Sequence, residues 1–335
     1  MHDTGRSGRG FFIGDGVMEW LRNKWRRRAW LMMVAALILA TLHLGPGAEL
    51  QEVVDFSPNP GHLRLYLHLP EKRVPHPALV VALHGCYQSA AVYAQASGWL
   101  AESEQLGFLL LLPEQRFWNN PMRCFNWFGA AEANGGGEVA SLSAMIDNVV
   151  SAHAIDPRQV FITGLSGGGA MAALMLATRP ASFAGGGIVA GVPSRCADNA
   201  FLGLLCMVTG WERSPQQWGD RVRQAVHPPG QWPRVSIWQG THDWVINPDN
   251  ARELVKQWTN LHGIAVDGGQ QESVDGHVRS RFRLANGTVV VEEHLLDQGH
   301  GQSIDADHEC GRRAPFMVSG GSCTSHHLAH FFLQP

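Results

Sequence analysis

A mostly parallel α/β sheet with helices on both faces is the fold class this sequence predicts, and three observations carry it. Short apolar runs alternate with stretches rich in helix formers from residue 79 to residue 262. A serine set between glycines, Gly164-Leu165-Ser166-Gly167-Gly168, stands where one of those runs meets a helical stretch. No Ser/Thr/Pro-rich tract, internal repeat or linker divides residues 49–335, which therefore read as one domain.

In chain order, Leu63–Leu69 alternates and reads as an outer strand, and Leu79–Leu83 as a core strand. A helix is expected near 90–105 and a strand over Phe108–Leu112. Residues 113–137 are long, aromatic and irregular, and are expected to lie over the active site. A helix is expected over 138–153. Val160–Thr163 is β-branched and aromatic, a buried strand, and Gly169–Ala177 is a helix ended by Pro180. Phe183–Ala190 and Arg234–Gln239 read as further core strands, 249–262 as a helix, and Val289–Leu296 as the last strand of a hairpin whose turn is Asn286-Gly287.

Serine at a sharp strand-to-helix turn is the nucleophile elbow of the α/β-hydrolase fold. The turn is strained and crowded, so glycines flank it. The chain order of that fold is Ser, then Asp or Glu, then His. Asp243 follows the tip of the strand 234–239, where catalysis gathers in parallel sheets. His300 lies between glycines past the end of the strand 289–296. Ser166 is the expected nucleophile, His300 the general base and acid, and Asp243 the group that orients the imidazole. Rivals among the 17 histidines are His242, His294 and His308; rivals for the acid are Asp249, Asp297 and Asp305. Asp249 reads better as first-turn charge on a helix, and the other two acids are too close to His300 in sequence. The oxyanion hole is expected from the amides of Gly167 and Cys86, the latter in the loop His84-Gly85-Cys86-Tyr87-Gln88. The His84 ring is expected to hydrogen-bond that loop rather than substrate. Asn126, Trp127 and Trp244 are candidate substrate walls, with ordinary packing as the alternative.

The motifs His84-Gly85-Cys86-Tyr87-Gln88, Arg123-Cys124-Phe125-Asn126-Trp127-Phe128, Gly164-Leu165-Ser166-Gly167-Gly168, Gly240-Thr241-His242-Asp243, Gly299-His300-Gly301 and Ser322-Cys323-Thr324-Ser325-His326-His327 occur in this order. Together they resemble the poly(3-hydroxybutyrate) depolymerase family of esterases, which is similar to feruloyl and acetyl-xylan esterases. The resemblance spans roughly residues 50 to 335 and implies an α/β-hydrolase domain, ester substrates and a mechanism without metal or cofactor. Two departures stand out: Gly167 where many members carry Ala, and Gly301-Gln302 where a larger residue and Pro often follow the histidine. Secreted depolymerases of crystalline polyester usually carry an adsorption domain; no room for one is read here, so soluble or amorphous substrates are expected. The expected activity is thus an exported serine esterase on polyhydroxybutyrate-type polyester or oligomers. Feruloyl or acetyl-xylan esterase, a hydrolase of another polymer such as poly(aspartate), and an inactive binding protein of the same fold are the alternatives.

The first 48 residues are expected to form a disordered Gly-rich start followed by an export signal. Arg22, Lys24 and Arg26–Arg28 precede an apolar run over 29–44 and the small residues Gly45-Pro46-Gly47-Ala48. The run is short for a membrane span, and an uncleaved inner-membrane anchor over 29–44 is the alternative to a secreted or periplasmic protein. The net charge of −3 divides into +4 before residue 49 and −7 after it. That acidic body has no basic stripe, so no nucleic-acid partner is expected. Six cysteines in a chain with an export signal favour disulfides. Cys310–Cys323 would staple the segment after the histidine and Cys86–Cys124 would brace the oxyanion loop, with free buried thiols as the alternative. No C-x-x-C or H-E-x-x-H pattern points to a metal.

Overall fold

The computed structural model describes residues 50–334, save residue 73 and residues 226–230. The expected signal or anchor within 1–48 lies outside the described residues. In chain order the elements begin with β1 (Gln51–Glu52), β2 (Arg64–His68), β3 (Leu79–Leu83), α1 (Ala90–Ala96), α2 (Trp99–Leu106), β4 (Leu109–Glu114), α3 (Ala130–Ala133) and α4 (Gly137–Ala152). Next come β5 (Val160–Leu165), α5 (Gly167–Thr178), β6 (Gly185–Val189), α6 (Ala200–Thr209), α7 (Pro215–Arg223), β7 (Arg234–Gly240) and α8 (Asp249–Leu261). The chain closes with β8 (Gln270–Val274), β9 (His277–Arg283), β10 (Val289–Leu296), the small pair β11 (Gln302–Ile304) and β12 (Met317–Ser319), and α9 (Thr324–Leu333).

The main sheet has the order β1-β2-β4-β3-β5-β6-β7-β10-β9-β8. Its six central strands, β4 to β10 in that order, are parallel, and antiparallel strands finish both edges. Side chains alternate across a strand, and β3 shows the consequence. Leu79, Val81 and Leu83 enter one core with α4, α5 and α8. Val80 and Ala82 enter the other, with α1, α2 and α9. A strand covered on both faces favours apolar residues throughout, which is why β3 is Leu-Val-Val-Ala-Leu and β4 opens with four leucines. Near the middle of the sheet, β6 begins with three glycines. A methyl at Gly186 would meet Leu176 at 2.5 Å and one at Gly187 would meet Leu328 at 2.7 Å. Their absence lets α5 and α9 press onto opposite faces of one strand.

Gly167 to Ala177 of α5 are all buried. A helix apolar all round belongs inside, and this one starts at the turn that carries Ser166. In that turn, a Cβ at Gly168 would lie 2.3 Å from the Leu83 carbonyl oxygen and 2.5 Å from that of His84; one at Gly164 would lie 2.4 Å from Gly168. Glycine at both positions is a packing requirement.

The single helix expected near 90–105 is two helices, α1 and α2, broken at Ser97-Gly98. Gly98 is left-handed (φ 88°) and packs against Ser325 and Gly311, so the break is imposed by the C-terminal segment. The hairpin β8–β9, the pair β11–β12 and the helices α6, α7 and α9 were not expected from the sequence. The cysteines pair as Cys86–Cys124, Cys196–Cys206 and Cys310–Cys323.

Gly168→Ala is expected to destabilise the fold by at least about 2 kcal/mol, because the new methyl meets backbone that cannot rotate away. Urea unfolding of the variant against wild type measures it; an unchanged midpoint would contradict the tight turn.

Candidate active site

Ser166 sits between β5 and α5 with φ 57° and ψ −117°. A non-glycine residue rarely holds such a backbone unless the surroundings enforce it. Here the Ser166 N–H donates to Val189 O at 2.9 Å and its carbonyl accepts from Ala170 N at 2.8 Å, locking strand, turn and helix together. The hydroxyl is left at the strand tip, and the residue is 8 % exposed.

Two further loops converge there. At the end of β7, a Cβ on Gly240 would meet the Gln298 and Gly299 carbonyl oxygens at 2.5 Å. This close approach brings the loop carrying Asp243 against the loop carrying His300. Asp243 Oδ1 accepts from the amides of Val245 at 2.8 Å and Ile246 at 2.9 Å. Its Oδ2 accepts from Gln239 Nε2 at 3.0 Å and from His300 Nδ1 at 2.7 Å. Burial pushes this carboxyl up, yet the His300 hydrogen bond and charge and the two amides outweigh burial and hold it below the usual range. The ionised carboxylate only accepts, so Nδ1 carries the imidazole proton. His300 Nε2 is then free to accept from Ser166 Oγ, 3.0 Å away.

The rival residues have other partners. His242 is on the surface beside Asp297, at 2.9 Å. His294 is buried with its ring stacked on Trp238 at 3.8 Å, and burial lowers its pKa to about 4. His308 pairs with Asp305 at 2.8 Å. Asp249 opens α8, as first-turn charge should.

Beside Ser166, the Gly167 amide is the first of α5, and the loop after β3 carries the Cys86 amide. Among the described residues neither N–H has a protein acceptor. The two are neighbours: a methyl at Gly167 would lie 3.0 Å from Cys86 Sγ, and the Cys86–Cys124 bridge passes over this point. The His84 ring faces the loop, with Nδ1 donating to Gly85 O at 2.8 Å and Nε2 accepting from Gln115 N at 3.1 Å. Burial lowers its pKa to about 4, so it stays neutral.

The three candidate wall residues fall in different settings. Trp244, next to Asp243, is 78 % exposed. Asn126 is half-buried, and its side-chain and backbone N–H groups are both bound to Glu138. Trp127 is 8 % exposed, belongs to the main core and packs edge-on against Phe128. Sequence reasoning missed three polar residues that hold the loops: Gln239 on Asp243, Gln88 (whose Oε1 accepts from Gly85 N at 2.8 Å) and Glu138. Gln88 closes the motif His84–Gln88, which was its only visible signal.

Comparison with known proteins gives consistent relatives. Residues 63–280 match the family model described as Esterase PHB depolymerase. The poly(3-hydroxyalkanoate) depolymerase C of Paucimonas lemoignei is 37 % identical over 308 residues, 90 % of this chain and 74 % of that protein. Feruloyl esterase B of Talaromyces stipitatus is 31 % identical over 249 residues, 72 % of this chain and 68 % of that protein. The solved acetyl xylan esterase from Aspergillus awamori superposes with a TM-score of 0.68 at 25 % identity, covering 75 % of this chain and 94 % of that one. The chain therefore belongs to the PHB depolymerase family of esterases, carboxylic ester hydrolases of the α/β-hydrolase fold.

Proposed function

We propose that this protein is an exported serine esterase that cleaves polyhydroxybutyrate-type polyester or its oligomers through an acyl-enzyme. The observation that carries the reading is one imidazole bridging a strained serine hydroxyl at 3.0 Å and a carboxylate at 2.7 Å. In this reading, Ser166 Oγ attacks the ester carbonyl while its proton passes to His300 Nε2. Asp243 holds the ring in the tautomer that can accept and stabilises the imidazolium that forms. The Gly167 and Cys86 amides donate to the tetrahedral oxyanion; among the described residues neither has a protein acceptor. His300 then protonates the departing alcohol. Water, activated by the same nitrogen, releases the acid from Ser166. The site residues suffice for this without a metal or cofactor.

The substrate assignment rests on the 37 % identity to a poly(3-hydroxyalkanoate) depolymerase. A second reading, a feruloyl or acetyl-xylan esterase, is favoured by the relatives at 31 % identity and by the acetyl xylan esterase superposition. Trp244 is the proposed surface contact for the chain leaving the site, with Asn126 and the edge of Trp127 behind it. Three disulfides support an oxidising compartment outside the cytoplasm. Among the described residues no helix is long and apolar enough to cross a membrane.

Ser166→Ala is expected to abolish hydrolysis of p-nitrophenyl butyrate; a folded variant with near-normal turnover would refute the assignment. On a panel of hydroxybutyrate oligomers, methyl ferulate and acetylated xylan, the oligomers should show the highest kcat/KM, and a preference for ferulate or xylan acetate would establish the second reading. Asp243→Asn should lower kcat by about three to four orders of magnitude in a folded protein. Because the folded protein holds this carboxyl below the usual range, its ion stabilises the fold above about pH 3.9, and that contribution fades as the pH falls further. The gap in melting temperature between Asp243→Asn and wild type should therefore narrow below about pH 4; a gap that widens on acidification would reverse the argument.

A further inference from the structure

Glu138, at the start of α4, is 2 % exposed and touches neither Ser166, His300 nor Asp243. Its carboxylate receives three hydrogen bonds. Oε1 accepts from Gln115 Nε2 at 2.5 Å and from Asn126 Nδ2 at 2.7 Å, and Oε2 accepts from the Asn126 amide at 2.7 Å. No basic side chain pairs with it among the described residues. Burying a carboxylate without a counter-ion is costly. The N-terminus of α4 and three N–H donors offset part of that cost.

Those donors lead to both ends of the oxyanion loop. Gln115 cannot turn its amide around, because its Oε1 accepts from Arg116 N at 2.9 Å and Asn119 Nδ2 at 3.0 Å. Its Nε2 is thereby aimed at Glu138 and at Cys124 O, 3.1 Å away. Cys124 is tied to Cys86 by the disulfide. Gln115 is also the residue whose backbone N–H fixes His84, and His84 Nδ1 in turn donates to Gly85 O at 2.8 Å. The carbonyl of Gly85 and the N–H of Cys86 belong to one planar peptide. Whatever holds that oxygen therefore sets where the Cys86 N–H points. A hydrogen bond on the carbonyl also polarises the amide and strengthens its donation.

We propose that Glu138 is a positioning residue for ester hydrolysis: through Gln115 on one side and Asn126 on the other, it fixes the Gly85–Cys86 peptide and its disulfide partner so that the Cys86 amide faces the oxyanion. The proposal rests on Ser166 being the nucleophile and the Cys86 amide an oxyanion donor. It needs an acceptor on both oxygens of residue 138. Glutamine there keeps the shape but turns an NH2 toward either the Gln115 amide or the Asn126 backbone N–H, and one arm is lost. Burial pushes the Glu138 carboxyl up to about 7, with the Asn126 amide and Gln115 pulling against it. The network therefore has its full acceptor set when that proton is off.

The test compares the full chain with Glu138→Gln, Gln115→Leu, the double variant and Ser166→Ala on p-nitrophenyl butyrate. Active sites are counted by complete labelling with a fluorophosphonate, and melting is followed separately. A misplaced oxyanion donor weakens the transition state and not ground-state binding. Hence kcat per labelled site should fall about tenfold or more in each single variant, with KM within about twofold of wild type. The double variant should be little worse than the worse single, as members of one network are not additive. A role confined to holding the fold together would lower melting and the labelled fraction while leaving kcat per labelled site within about threefold of wild type; that result overturns the proposal. Should Glu138→Gln fail to fold, Gln115→Leu alone carries the same two outcomes. Loss of activity in Ser166→Ala with wild-type kcat in the network variants sinks the proposal alone, whereas hydrolysis untouched by Ser166→Ala sinks the esterase reading and the proposal together.

Discussion

The contact on which the rest of the structure depends is bare backbone against backbone at the start of α5. With no side chain at Gly164 or Gly168, the helix lies directly on the carbonyl oxygens of Leu83 and His84. That one approach does two things. It forces Ser166 into a left-handed turn that lifts its hydroxyl off the strand, and it seats the loop after β3 beside the first amide of the helix. The candidate nucleophile and the two candidate oxyanion donors are thus set by a single packing event. Placing either in a mobile loop would forfeit the preorganisation on which such sites depend.

Around this contact the protein uses layers of buried polar support. Asp243 is satisfied by two backbone amides and Gln239 as well as by His300. The loop opposite is held by His84, Gln88, Gln115 and Glu138. Each of these groups also meets at least one backbone atom that cannot exchange roles, which fixes which of its atoms donates and which accepts. Groups of this kind specify one arrangement rather than add much stability, since partial satisfaction would be worse than an apolar site.

Outside the site, the other histidines illustrate how burial sorts chemically identical side chains. His294 is stacked on Trp238 and bonded to His277 at 2.8 Å, and burial keeps both from charging readily. His242 and His308 lie on the surface beside acids. His300 combines a buried carboxylate on one nitrogen with a hydroxyl on the other.

Much of this was legible in the chain itself. Ser166, Asp243 and His300 each sit in a short motif at the end of a recognisable strand, and strand order puts strand ends on one edge of a parallel sheet. Glycines around Ser166 announce a turn that side chains would block. The two cysteine pairs expected from the sequence are both present, because each joins segments the fold must bring near the site. What lacked a local signature was everything decided by contacts far apart in sequence. The break between α1 and α2 comes from Ser325 and Gly311, more than two hundred residues away. The helix α9 and the hairpin β8–β9 take their places only once a sheet exists to receive them. Glu138 reads as an ordinary first-turn acid until Gln115 and Asn126 are folded over it. Local chemistry named the candidate reacting groups; the hydrogen bonds that aim them needed the whole sheet, since a donor's direction is a property of the assembled backbone.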